Sequence, residues 1–341
     1  MYNYIHPNYH IVALNKQERK QLMKKVLITG GAGYIGGYMT EIFEAKEDYN
    51  ITVYDNLLYE TRYLKDVKFI YGDIRDTRKL GNIINDYDII VWLAAIVGDG
   101  ACAVNEALSE DINFKTVKWL VDNYTKGTII FTSTCSVYGM NKELIDENAK
   151  PNPLSVYAAT KLQAEQYIIQ NAKDYIIFRL GTLYGIGDSH SRLRFDLVVN
   201  ILTLRAVQGE SLTVFGGQQW RPILHVRDVA YATMHCIENN IRGLFNLSEL
   251  NVEISELSGT IKRLLPDTNV IYQDMKFEDL RDYKVKNDRF LETGWKPKFS
   301  LDEGILEMIK VFSEGRVKNI ADPVYSNVEY LEHIDFGNKV K

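Results

Sequence analysis

The stretch KVLITGGAGYIG (25–36) constrains the fold more than any other part of the chain. An apolar, strand-forming run ends at Gly30, and glycine recurs at 33 and 36 before a helix-forming segment. Glycine allows the tight turn, and its missing side chain lets a pyrophosphate reach backbone N–H groups at the helix N-terminus. The strand–turn–helix setting gives the G-x-x-G-x-x-G spacing its meaning. Asp55 closes the second β-rich run, about 20 residues on, where a carboxylate can accept from the ribose hydroxyls of a dinucleotide. The same carboxylate repels a 2′-phosphate, so the expected cofactor is NAD rather than NADP.

The β-rich runs continue as ITVYDN (51–56), VKFIYGD (67–73), DIIVWLAA (88–95), GTIIFTS (127–133) and YIIFRLG (175–181), with helix-forming segments between them. Near-continuous apolar strands alternating with helices predict an α/β fold, a Rossmann-type doubly wound parallel sheet covered on both faces. The pattern changes after Gly185. IGDSHSRLRFD (186–196) reads as a loop, and the segments beyond it read as a smaller C-terminal α/β lobe. The expected division is an N-terminal extension (1–22), a dinucleotide-binding domain (23–185) to which a strand near 222–248 returns, and a lobe made mainly of 186–341.

The chain of 341 residues carries a net charge of −5, which disfavours sequence-independent nucleic-acid binding. No apolar run reaches the roughly 18 residues of a membrane span. Cys102, Cys135 and Cys236 lie too far apart for a C-x-x-C pair, which fits a reducing cytoplasm. His6 and His10 are separated by Pro7 and lack a carboxylate beside them, so no metal site is expected. His225 and Cys236 read as packed residues.

Tyr157 and Lys161 stand four apart in SVYAATKLQAEQYI (155–168), so a helix places them on one face. Ala158, Ala159 and Thr160 leave room beside that face for a ligand. A phenol titrates near ~10, and a neighbouring ammonium favours the phenolate, which can then take a proton from an alcohol. FTSTCSVYG (131–139) ends a buried strand in a row of hydroxyls, where parallel sheets hold ligands.

These segments together resemble the extended short-chain dehydrogenase/reductase family, in its branch of NAD-dependent nucleotide-sugar epimerases and dehydratases. The matching pieces include TGGAGYIG (29–36), YDN (54–56), GDIRD (72–76), LAA (93–95), TSTCSVYG (132–139), YAATK (157–161), FRLGTLYG (178–185), RPILHVRDVAYA (221–232) and RDYKVKND (281–288). The resemblance implies that Gly30, Gly33, Tyr34, Ile35 and Gly36 hold the NAD pyrophosphate. It places Asp55 and Asn56 at the adenosine ribose and Asp73 and Ile74 at adenine. Leu93, Ala94 and Ala95 would line the nicotinamide side, with Asn113 nearby. Thr134, Tyr157 and Lys161 match the catalytic Ser/Thr-Tyr-Lys triad, and Tyr157 and Lys161 also touch the cofactor. Thr134, Thr182, Arg194 and Asn200 are expected at the substrate. Arg221 and Arg281 match positions that clamp the nucleotide diphosphate, as guanidinium groups can.

The resemblance also implies the substrate, a nucleotide-diphosphate sugar held by the C-terminal lobe, and an opening step, oxidation of a sugar hydroxyl at C4. A homodimer through the segments 106–124 and 156–169 is expected. In 4,6-dehydratases the turn resembles TDEVYG, and its two acids eliminate water. Here Cys135 and Ser136 stand in their place, and neither is a ready proton donor. The 3,5-epimerases of GDP-sugars have a cysteine where Ser136 stands. A dehydrogenase and a 4-epimerase with tightly bound NAD remain open. AAIVGD (94–99) and SRLRFDLVVN (191–200) are similar to a subgroup that includes GDP-heptose 4-dehydrogenase, which adds GDP-linked sugars to the expected substrates. A dinucleotide-binding sensor of this fold typically lacks the Tyr or the Lys, and this chain keeps both.

Overall fold

The computed structural model describes residues 23–274 and 282–334. The expected extension 1–22, with His6 and His10, and the expected diphosphate ligand Arg281 lie outside the described residues. The main sheet comprises β1 (Lys24–Thr29), β2 (Tyr49–Asp55), β3 (Lys68–Tyr71), β4 (Ile89–Trp92), β5 (Thr128–Thr134), β7 (Tyr175–Leu180) and β11 (Gly243–Leu247). Its order is β11-β7-β5-β4-β1-β2-β3, and every pairing is parallel. β6 (Leu144–Ile145) leaves this sheet and pairs with β14 (Lys284–Val285). β8 (Thr182–Tyr184), β10 (Trp220–His225) and β12 (Leu250–Glu253) make a second sheet, and β9 (Leu212–Phe215) pairs with β13 (Val270–Gln273).

The apolar runs form strands because both faces of the sheet are covered. Val26 and Ile28 point into a core with Met39 and Phe43 of the helix Gly36–Glu44 and Val229 of the helix Val226–Glu238. Leu27, between them, joins the opposite core with Leu120, Ala164 and Ile168. Burying each such side chain contributes about 1.5–3 kcal/mol. A third core, with Phe195, Leu202, Leu257 and Ile305, supports the C-terminal part.

Some elements differ from the sequence pattern. Only 243–247 of the segment 222–248 joins the main sheet, because Trp220–His225 is paired by β8 and β12. The helical segment 106–124 is broken by a π-helical turn, Asp111–Lys115. The short helices Asp99–Val104 and Asn327–His333 are too brief to show a clear apolar period.

One buried network sets the helix that carries Tyr157 and Lys161. Ser155 caps its start, with Oγ accepting from Ala158 N at 3.1 Å. Glu165 faces inward and pairs with Arg179 of β7, whose Nε lies 3.2 and 3.1 Å from the two carboxylate oxygens. Arg179 Nη1 donates to the Tyr138 hydroxyl at 2.7 Å, and that hydroxyl donates to Asn246 Oδ1 of β11 at 2.7 Å. Tyr138 ends the short 3-10 turn Cys135–Tyr138 after β5. Replacing Arg179 by Met strands a buried carboxylate and should cost about 3–5 kcal/mol in denaturant unfolding, part of which Glu165→Gln in the same chain should restore. A single-variant loss below about 1 kcal/mol would mean that apolar contacts alone hold the helix.

Candidate functional site

The C-terminal ends of the parallel strands open into one cavity of about 490 Å³. Its first wall is the glycine turn after β1. Gly30 has φ +73°, and a Cβ there would lie 2.6 Å from Ala94 N on the loop after β4. A Cβ at Gly36 would lie 2.5 Å from Gly30 O. Gly33, Tyr34 and Ile35 complete this wall. Asp55 ties β2 to it, with Oδ2 accepting from Ala32 N at 3.0 Å and Oδ1 from Leu57 N at 2.7 Å. Burial pushes the Asp55 pKa up, against the pull of the Leu57, Ala32 and Asn56 N–H groups. Asn56 Nδ2 donates to Asp73 Oδ2 at 3.3 Å, beside buried Ile74.

A turn kept bare by its neighbours, with carboxylates flanking it, fits a dinucleotide: phosphate can approach backbone, and ribose hydroxyls can meet acceptors. Leu93, Ala94 and Ala95 continue the wall. Ser133 lines the same space, and its buried hydroxyl has no partner among the described residues.

The second wall carries Thr134, Tyr157 and Lys161. Thr134 Oγ1 accepts from Ser136 N at 3.1 Å and lies within hydrogen-bond reach of the Tyr157 hydroxyl. Burial pushes the Tyr157 phenol up, and Thr134 pulls it the other way. Lys161 Nζ sits 4.1 Å above the Phe131 ring. Burial pulls Lys161 down to about 7, against Cys102 and Glu165. Thr182 and Arg194 line the far side.

The model of the NAD dependent epimerase/dehydratase family matches residues 26–248, the stretch that carries both walls. The chain belongs to the NAD-dependent epimerase/dehydratase family. It is an enzyme that uses NAD. A UDP-glucose 4-epimerase of Halalkalibacterium halodurans is 30% identical over 251 residues, 65% of this chain and 74% of that one. The dTDP-D-glucose 4,6-dehydratase of Mus musculus is 27% identical over 333 residues, 87% of this chain and 92% of the relative. The UDP-glucose 4-epimerase of Thermus thermophilus, solved with NAD, shares the fold with a TM-score of 0.73 at 24% identity, over 86% of this chain and 100% of that one.

In this member of the epimerase/dehydratase family three of the expected site residues among the described residues do not line the cavity. Asn113 stands behind the loop after β4, its Oδ1 accepting from Ile96 N and its Nδ2 donating to Ile96 O, both at 2.9 Å. Asn200 accepts from Gly185 N at 2.9 Å and donates to Arg194 O at 2.9 Å, so it shapes the loop that carries Arg194. Arg221 is buried on β10, where Nη1 donates to Trp220 O at 2.8 Å. His225 is packed, its ring stacked on Phe299 at 4.4 Å.

The cavity also takes residues given no ligand role from the sequence: Asp99, Ser136, Arg192, Tyr283 and Asn327. Asp99 stands inside AAIVGD and Arg192 two residues before Arg194, so both had a local signal. Asn327 had none.

Lys161 generates a pH prediction. The unfolded chain keeps the lysine proton up to its usual value of 10.5, while the folded chain loses it near 7. Between those values the unfolded state binds more protons, so folded stability rises with pH there. In cofactor-free protein, Lys161→Met should be more stable than wild type at pH 7 by on the order of a few kcal/mol, and the gap should close as pH rises toward 10. A gap that does not change with pH would show that Lys161 keeps its proton.

Proposed function

We propose that this enzyme oxidises the C4 hydroxyl of a nucleotide-diphosphate sugar and then restores hydrogen to the other face of the same carbon, as a 4-epimerase does. The observation that carries this reading is that Thr134, Tyr157 and Lys161 share one cavity with a dinucleotide cradle. Tyr157 would take the hydroxyl proton, Thr134 would orient that hydroxyl, and the Lys161 ammonium would favour the phenolate. NAD, when bound, supplies the two-electron acceptor. Gly30 to Gly36, Asp55, Asn56, Asp73 and Ile74 would hold it, within a unit of residues 23–185 and β11. Residues 186–334, with Thr182 and Arg194 at the cavity, would mainly hold the nucleotide sugar.

Two observations support returning hydrogen over other outcomes. Cys135 is fully buried, its Sγ donating to Arg179 O at 3.2 Å, and burial pushes the thiol up. Neither it nor Ser136, 3.3 Å from the Tyr283 hydroxyl, is an acid for expelling water. The loop 186–196 is also fastened over the cofactor side: Tyr34 donates to Gly185 O at 2.5 Å, Lys65 pairs with Asp188, and Arg192 N donates to Glu60 Oε1 at 2.8 Å. A dinucleotide held beneath a loop fastened in this way would leave slowly, which supports oxidation and reduction within one turnover rather than release of NADH.

The substrate's base is the finer part of the proposal. Relatives named for UDP- and dTDP-linked sugars support a pyrimidine nucleotide, while the SRLRFDLVVN resemblance supports GDP. A homodimer through the helices Thr116–Asn123 and Val156–Asn171 is supported by Ile169, exposed on the outer face of the second. Among the described residues no helix is long and apolar enough to cross a membrane. Three free, buried cysteines support a reducing compartment such as the cytoplasm.

Incubation with UDP-, dTDP-, CDP- and GDP-sugars should change the epimer ratio of one of them without growth of the reduced-nicotinamide absorbance. Stoichiometric NADH would mean a dehydrogenase instead. Tyr157→Phe should lower kcat by about 10²–10⁴ and leave NAD bound. A variant as fast as wild type would remove Tyr157 from the chemistry.

A further inference from the structure

Arg192 and Arg194 both line the cavity, but among the described residues only Arg194 makes an ion pair. Arg194 meets Asp196 through two bonds, Nε to Oδ1 at 2.9 Å and Nη2 to Oδ2 at 2.7 Å. Arg192 donates Nη1 to Val324 O at 2.6 Å and Nη2 to Asn327 Oδ1, and its guanidinium lies 4.0 Å over the Tyr59 ring. Among the described residues it makes no ion pair. Two neutral acceptors and a ring face orient this guanidinium without neutralising it, and N–H donors remain over. Burial and the neighbouring Arg194 pull its pKa down to about 10, against Tyr59, Asp196 and Glu60. A buried cation whose nearest carboxylates, Asp196 and Glu60, act on it without an ion pair is costly, and an anionic ligand in contact lowers that cost.

The topology says where that anion lies. β1 sits between β4 and β2 in the sheet, so the glycine turn after β1 lies between the loops that follow those two strands. Arg192 is tied to both loops. Its backbone N donates to Glu60, and its guanidinium covers Tyr59, both beyond β2. Asn327, its side-chain partner, donates Nδ2 to Val97 O at 2.7 Å, beyond β4. The guanidinium therefore bridges the space above the glycine turn. The other side of the cavity, with Thr134, Ser136, Thr182 and Tyr283, belongs to the ends of β5 and β7, to β8, and to the segment before β14.

We infer that Arg192 clamps the pyrophosphate of NAD from the side opposite the glycine turn, aimed there by Tyr59 and Asn327. The inference rests on the dinucleotide lying along that turn. A planar guanidinium fork matches phosphate oxygens, and its charge offsets the pyrophosphate's. Asn327 also donates its backbone N to Asp196 Oδ2 at 3.1 Å, so one residue of the helix Asn327–His333 organises both arginines. That helix thereby becomes part of the cofactor site. A nucleotide sugar also carries a pyrophosphate, and the test separates the two ligands.

Full-length wild type, Arg192→Met, Arg192→Gln and Asn327→Ala, each stripped of dinucleotide, are titrated calorimetrically with NAD and, separately, with UDP and GDP. Arg192→Met should weaken NAD binding about 10- to 100-fold and leave the better-bound nucleotide within about twofold. Its cofactor-free thermal midpoint should change little, because a buried charge without an ion pair gives way to an apolar side chain. Arg192→Gln should lose NAD affinity to a similar degree, and Asn327→Ala should lose less. NAD affinity within about twofold of wild type in both Arg192 variants overturns the inference. So does loss of nucleotide affinity with NAD binding intact, which assigns Arg192 to the sugar nucleotide. Equal loss of both ligands with a lowered thermal midpoint makes it a structural brace, and also overturns the inference. Net NADH release by wild type would refute the epimerase reading and leave this one standing.

Discussion

Glu165 and Arg179 form an ion pair with almost no exposed surface, four residues along the helix from Lys161 and one strand over from Thr134. Such a pair adds little net stability, but it is unforgiving of position, because either partner alone would be a buried, unpaired charge. It therefore sets the rotation of the helix Val156–Asn171 against β7. Through Tyr138 the same guanidinium reaches the turn after β5, and through Asn246 it reaches β11. Thr134 comes from β5 and Tyr157 and Lys161 from the helix, and the two elements also touch directly where Lys161 covers Phe131. The geometry of the reacting groups depends on an interaction that none of them makes.

The turn after β5 then decides what the site can do. Thr134 Oγ1 accepts from Ser136 N and remains beside the Tyr157 hydroxyl, so one threonine both ends the strand and faces the cavity. Cys135 points into the core and is inert as an acid. A site that can remove and restore a hydrogen at carbon, yet has no acid on this turn to expel a hydroxyl, suits inversion better than elimination.

Much of this was legible in the sequence, for identifiable reasons. Strands buried on both faces must be apolar throughout, so the runs at 25–30, 88–95 and 175–181 mark their strands to within a few residues. Gly30 is legible because a side chain there meets Ala94, and the Tyr157/Lys161 spacing because helices repeat on one face. What was not legible depends on long-range contact. Asn327 reaches Arg192 across 135 residues of chain, and nothing local marks either as a partner of the other. Asn113 was expected at the cofactor. It sits in the π-helical turn that interrupts the helix, and its side chain is spent on the backbone of Ile96. Asn200 matched a substrate-lobe motif, but its oxygen accepts from Gly185 N and it does not line the cavity, so here it shapes the loop.

In the proposed reaction hydrogen leaves C4 and comes back to C4 within one site. This is tested most directly with the accepted nucleotide sugar carrying deuterium at C4, followed by mass and NMR analysis of the product. The product should have inverted configuration at C4 with the deuterium still on that carbon. Deuterium lost to solvent, or transferred to NADH that leaves the protein, would contradict it.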